Sequence, residues 1–169
     1  MDLSVAVDLI REGVSPSPGQ HWADLGAGDG LFSLALKNLL GEDSTIQAID
    51  KRAPSAKLDD PRITQVRLDF EHDELNLSNL DGIMMANSLH FVESKSSLLS
   101  KLIACLKGDG RLMVVEYDLQ APNPWVPFPI TRSALEKLCV TLGFREMIQL
   151  GETPSRFNRA NIYSVCFIR

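Results

Sequence analysis

Cysteine is scarce in this chain: Cys105, Cys139 and Cys166 are the only three in 169 residues. They are widely separated, odd in number and form no CxxC pair. That spacing excludes a zinc knuckle or a dithiol redox motif and leaves three small buried apolar side chains in a reducing compartment. No metal site is expected. Long hydrophobic runs are also missing, so nothing is apolar enough for long enough to span a bilayer. No basic segment followed by an apolar one opens the chain, and the expectation is a cytoplasmic protein with no membrane partner. Positive charge is in deficit, with 17 Lys and Arg against 22 Asp and Glu, a net charge of −5 and a pI near 5.2. A general nucleic-acid binder draws its affinity from neutralising phosphates, so this balance argues against one.

What remains is ordinary globular material, 44% hydrophobic and 23% charged. A chain of this length buries roughly 70% of its unfolded surface, enough for a self-sufficient core. One domain over residues 1–169 is expected. It divides into an N-terminal helix and linker (1–20), a nucleotide-binding core (21–118), and a loop, helix and terminal hairpin on the substrate side (119–169).

Periodicity orders the elements. Leu3, Val7 and Ile10 share one helical stripe, which the run from Gly13 to Gly19 ends. His21 to Leu25 reads as a strand entering a glycine-rich turn. Leu31, Leu34, Ala35 and Leu39 line a helix that Gly41 stops as a C-cap. Strands are expected at 45–49, 62–68, 81–86 and 112–117. Between the last two, Ser94 caps a helix with Leu98, Leu99, Leu102, Ile103 and Leu106 on its apolar face, and Gly108 and Gly110 bracket its end. Thr131 or Ser133 caps a final helix with Leu135, Leu138, Cys139 and Leu142 inward, closed by Gly143. Residues 144–150 and 161–168 are two strands with no helix between them, so they pair antiparallel. The fold class is therefore α/β: a doubly wound, mostly parallel seven-stranded sheet with helices on both faces and an antiparallel last strand.

In such a sheet, ligands bind beyond the carboxyl ends of the strands. The first turn reads Asp24-Leu-Gly-Ala-Gly-Asp-Gly30. Its glycines let the backbone bend tightly and approach a ligand, and it feeds a helix whose first N–H groups face that ligand. Those N–H groups suit a carboxylate or a phosphate equally. The dinucleotide fingerprint requires a small residue where Leu31 stands, so a nicotinamide-nucleotide site fits poorly. Asp50, twenty residues after Gly30, ends the second strand with a carboxylate able to accept both hydroxyls of a ribose. Asp69-Phe70 ends the third with an acceptor and a ring.

Acidic residues at three successive strand ends, behind that turn, resemble the class I S-adenosylmethionine-dependent methyltransferases. Asn87-Ser-Leu-His90 and Leu106-Lys-Gly-Asp-Gly-Arg-Leu112 resemble that family's segments after the fourth strand and before the fifth. The likeness covers nearly the whole chain and is nearest to the small-molecule, quinone-biosynthesis group. It implies S-adenosylmethionine as cofactor. Gly26, Ala27, Gly28 and Gly30 would then lie along its methionine part, with Asp24 ordering the turn. Asp50 would hold the ribose, Lys51 would lie beside the adenine, Asp69 and Phe70 would meet the adenine, and Asn87 would stand near the methyl group.

Methyl transfer needs alignment first and a base only sometimes. His90 is the candidate catalytic base, because imidazole as a side chain suits proton transfer near neutral pH. Tyr117 follows the fifth strand, and Trp125 and Phe128 stand in the stiff Asn123-Pro-Trp-Val-Pro-Phe-Pro129 loop. These three are the candidate substrate residues, walling an apolar pocket for a small-molecule methyl acceptor. Arg156 and Arg159 are solvated or meet an anionic acceptor. The fourth strand is not followed by an Asn-Pro-Pro-Tyr motif, which argues against amino methylation of nucleobases. With little chain left for a lid, the acceptor site is either open or closed by a second copy in a homodimer. A catalytically inert module that binds S-adenosylmethionine as a partner or sensor is the alternative.

Overall fold

In the computed structural model, residues 1–55, 57–155 and 160–169 are described. Arg156 and Arg159 lie outside the described residues. The strands are β1 (His21–Leu25), β2 (Thr45–Asp50), β3 (Ile63–Arg67), β4 (Leu80–Ala86), β5 (Leu106–Tyr117), β6 (Glu146–Pro154) and β7 (Asn161–Ile168). The helices are α1 (Leu3–Ile10), α2 (Leu31–Leu39), α3 (Lys95–Cys105) and α4 (Arg132–Thr141).

The sheet has seven strands in the order β3-β2-β1-β4-β5-β7-β6. β1 to β5 run parallel, and β7 lies between β5 and β6, antiparallel to both. The order reverses between β1 and β4, the switch point where such sheets open a crevice. Alternation along each strand divides the core in two. Ala23, Leu25, Ile83, Met85, Val114 and Phe167 pack with α3 and α4. Trp22, Met84, Met113, Val115 and Cys166 pack with α1 and α2.

Several boundaries differ from the sequence reading. α3 ends at Cys105, and Leu106 already pairs with Leu80. The register then moves to Gly82 opposite Arg111, so residues 107–110 bulge from β5, and Gly108 and Gly110 belong to that bulge rather than to a helix end. β6 extends to Pro154 through a register shift between Gln149 and Gly151.

Two helical stripes turn out rotated. On α1 the buried residues are Ala6, Leu9 and Ile10, while Leu3 is exposed. On α2 they are Phe32, Ser33, Ala35 and Leu36. Leu31, Leu34 and Leu39 are only partly buried, because α2 is covered by α1 as well as by the sheet and has two apolar flanks rather than one. Gly41 does not take a left-handed cap conformation. It is glycine because a Cβ there would stand 2.4 Å from the Pro16 carbonyl oxygen. Thr131 does cap α4, accepting from the Ala134 amide at 3.3 Å, and Gly143 closes that helix at φ +97°.

Candidate active site

The glycine-rich turn is tied to β2 before any ligand is considered. The Gly26 and Ala27 amides donate to the Ile49 carbonyl at 2.8 and 3.1 Å. The Gly28 amide donates to Asp50 Oδ2 at 2.9 Å, and the Arg52 amide to Asp50 Oδ1 at 2.8 Å. The bend and the second-strand carboxylate therefore meet, as a shared nucleoside site requires. Gly26 has φ +79°, and a Cβ on it would stand 2.3 Å from Ser88 Cβ. The segment after β4 presses on the turn at that point, and Ser88 Oγ donates to the Leu25 carbonyl at 2.7 Å.

Asp24 sits under this turn, only 1% exposed. Ser33 Oγ donates to its Oδ2 at 2.6 Å, fastening α2 to β1, while Oδ1 is shut off from solvent without a partner. Burial pushes the carboxyl up to about 6, against the Ser33 hydrogen bonds and with a smaller push from the Asp50 charge.

A cavity of about 260 Å³ opens beside the turn, lined by Gly26, Asp50, Lys51, Asp69, Phe70 and Asn87. Six of the expected cofactor residues thus converge on one space. Gly28 lines neighbouring clefts, Gly30 packs under Leu58, and Asp24 and Ala27 support the turn from behind. Arg52, Glu71, Ser88, Phe91 and Val92 complete the wall. Sequence reasoning had not assigned these five, although Ser88 falls inside a segment already singled out. At Asp69, desolvation raises the carboxyl, but hydrogen bonds from the Glu71 amide (3.1 Å) and from His72 outweigh it and hold it below the usual carboxylate range.

Asn87, in a left-handed conformation at φ +51°, also lines a second cavity of about 220 Å³. Tyr117 lies there with Met1, Val5, Thr153, Pro154 and Ile162. Burial, then the nearby Glu116 charge, raises the Tyr117 phenol and keeps it protonated.

The other expected substrate and catalytic residues are placed elsewhere. Trp125 is 79% exposed, and neither it nor Phe128 lines either cavity. The proline-rich loop is held by its main chain: the Phe128 amide donates to the His90 carbonyl at 3.0 Å, and Lys95 Nζ donates to the Phe128 carbonyl at 2.6 Å. His90 is 3% exposed and also outside both linings. Its Nδ1 lies 2.7 Å from Oε1 of the fully buried Glu116, whose carboxylate also accepts the His90 and Tyr117 amides at 3.1 and 2.9 Å.

The donor set suits S-adenosylmethionine. It holds carboxylates that could accept from a ribose and an amino group, a ring that could meet the adenine, and a glycine-rich bend that could lie along the methionine end. The methyltransferase domain family model matches residues 23–114. Among solved structures, an arsenic(III) S-adenosylmethionine methyltransferase from Chlamydomonas reinhardtii is 17% identical, with a TM-score of 0.70 over 92% of this chain and 64% of that one. Phosphoethanolamine N-methyltransferase 2 from Haemonchus contortus, in complex with S-adenosyl-L-methionine, is 11% identical, with a TM-score of 0.78 over 98% and 52%. The 1,6-didemethyltoxoflavin-N1-methyltransferase from Burkholderia thailandensis is 16% identical, with a TM-score of 0.72 over 99% and 77%. This chain thus spans less than two thirds of the first two. No curated protein sequence matches it. The structural likenesses establish the fold, and the family match covers more than half of the chain from β1 into β5, with the glycine-rich turn and the second-strand acid inside it: the chain belongs to the methyltransferase domain family, with the class I S-adenosylmethionine-dependent fold.

Proposed function

We propose that this chain transfers the methyl group of S-adenosylmethionine to a small, partly apolar acceptor. The observation that carries the reading is the Gly28–Asp50 contact of 2.9 Å at the edge of a cavity that Asp69, Phe70 and Asn87 also line. Asp50 spends one lone pair of each oxygen on main-chain amides and keeps others for ribose hydroxyls. Asp69 accepts from the adenine amino group, Phe70 and Lys51 flank the base, and the bend from Gly26 through Ala27 and Gly28 to Gly30 offers backbone to the methionine end. Asn87 stands between this space and the second cavity.

When bound, the cofactor supplies a methyl carbon activated by a sulfonium. The protein's own contribution is alignment and exclusion of water. His90, buried against Glu116, serves as a strut that holds the Ser88–Val92 wall to the end of β5, and Tyr117 faces the acceptor. A small-molecule acceptor agrees with the arsenic(III), phosphoethanolamine and didemethyltoxoflavin named for the similar structures.

Thermal unfolding and calorimetry with S-adenosylmethionine, S-adenosylhomocysteine and NAD test the reading. Either adenosyl ligand at a hundred times its Kd should stabilise the chain by about 2.7 kcal/mol. Asp50→Ala should weaken that binding by about tenfold or more, the loss of two ribose hydrogen bonds. Stabilisation by NAD alone would defeat the assignment.

A further inference from the structure

Lys95 opens α3 and is only 9% exposed. Lys37 and Lys107 pair with Asp60 and Asp81, whereas among the described residues no carboxylate lies within ion-pair distance of Lys95. Its ammonium is spent on main-chain oxygens instead. Nζ donates to the Val92 carbonyl at 2.7 Å and to the Phe128 carbonyl at 2.6 Å, and it stands 5.8 Å from the centre of the Phe128 ring. Burial pulls the ammonium below its ordinary value, against the more distant charges of Glu116 and Glu71. The first turn of a helix also disfavours a cation. For packing alone, an apolar side chain would cost less.

The two carbonyls belong to segments that meet beside the donor cavity. Val92 and its neighbour Phe91 line that cavity. Phe128 belongs to the proline-rich loop, and its amide donates to the His90 carbonyl at 3.0 Å. A single loop residue is thus fastened to residues 90–92 twice, by its amide directly and by its carbonyl through Lys95. The carboxylates whose charges reach Lys95 stand at the same junction: Glu71 lines the cavity, and Glu116 holds His90. Neither Lys95 nor Phe128 lines the cavity, so both act on it through the wall.

We propose that Lys95 is a positioning residue for donor binding: through the Val92 and Phe128 carbonyls it seats the proline-rich loop on the Phe91–Val92 wall, so that loop and donor site order one another. This rests on the donor reading above. Coupling of this kind is reciprocal. If the seated loop firms the wall for the donor, the bound donor firms the loop, and the Phe128 amide reports it.

The test is amide hydrogen exchange of the full chain, read residue by residue by NMR with and without saturating S-adenosylhomocysteine. The ligand should slow exchange at Phe128 by about fivefold or more, while the Ala134 amide, held by Thr131 at the start of α4, changes by less than about twofold. Lys95→Met keeps the length of the side chain and removes its N–H groups. It should weaken S-adenosylhomocysteine by about fivefold or more in calorimetry and abolish the slowing at Phe128. A lysine with a purely structural role would lower the melting temperature of that variant and leave both readouts at their native values. Unchanged exchange at Phe128, an equal change at Ala134, or native affinity and native slowing in Lys95→Met would overturn the positioning role with the donor reading intact. Should Lys95→Met not fold, the comparison on the native chain decides alone. Failure of S-adenosylhomocysteine to bind the native chain would overturn both.

Discussion

Asp24 shows what burial does to one carboxylate. Its folded value of about 6 lies above the ordinary 3.8, so the folded chain holds that proton more tightly than the unfolded chain. The resulting cost to stability is absent below about pH 4, grows through the interval to pH 6 and is complete above it. At 1.36 kcal/mol per unit it amounts to about 3 kcal/mol. Asp24→Asn keeps an oxygen for Ser33 and removes the charge. Its melting temperature should exceed that of the native chain at pH 8 and match it near pH 4, measured by circular dichroism. An equal gain at both values would mean that ionisation is not the source. Asp24 was legible as the head of the turn because Asp-x-Gly-x-Gly is a local pattern. That Ser33 would hold one of its oxygens was not, since the stripe read for α2 placed Leu31 and Leu34 inward instead.

The ends of β4 and β5 act as one element through Glu116. Its carboxylate receives three hydrogen bonds, two from His90 and one from the Tyr117 amide, and it is fully buried. Glu116→Ala leaves those donors without an acceptor, at about 1–3 kcal/mol for each unsatisfied group. Urea unfolding at 25 °C should show a loss above about 3 kcal/mol, with Glu116→Gln costing less because it retains one oxygen. A loss under about 1 kcal/mol would deny the network its structural role. His90 drew attention in the sequence because imidazole as a side chain suits proton transfer near neutral pH. Its partner is 26 residues away, on the inward side of a strand that the pattern marks only as buried. Trp125 misled for a related reason: prolines and aromatics mark a stiff, apolar loop but carry no information about which way the ring faces.

At the scale of the whole molecule, the three thiols report on the integrity of the core. Cys105, Cys139 and Cys166 are free and buried, and burial pushes Cys139 up to about 12 and Cys166 to about 11. A thiol-specific disulfide reagent at pH 8 should find none of them in the native chain and all three once urea has unfolded it, in step with the loss of helix signal. Reaction of one thiol before the rest would reveal local opening of the sheet face that carries it. The hydrophobic period, the turn residues and the acids at strand ends were local features. They were therefore enough to determine the alternation of strand and helix and the family resemblance, and they placed Asp50, Asp69 and Asn87 at strand ends, which the structure brings to one cavity. The insertion of β7 between β5 and β6, the burial of His90, and the second cavity between α1 and the terminal hairpin were decided by the tertiary structure alone. Each depends on which distant segments pack together, and a one-dimensional pattern of apolar and polar residues is the same whichever neighbour covers it.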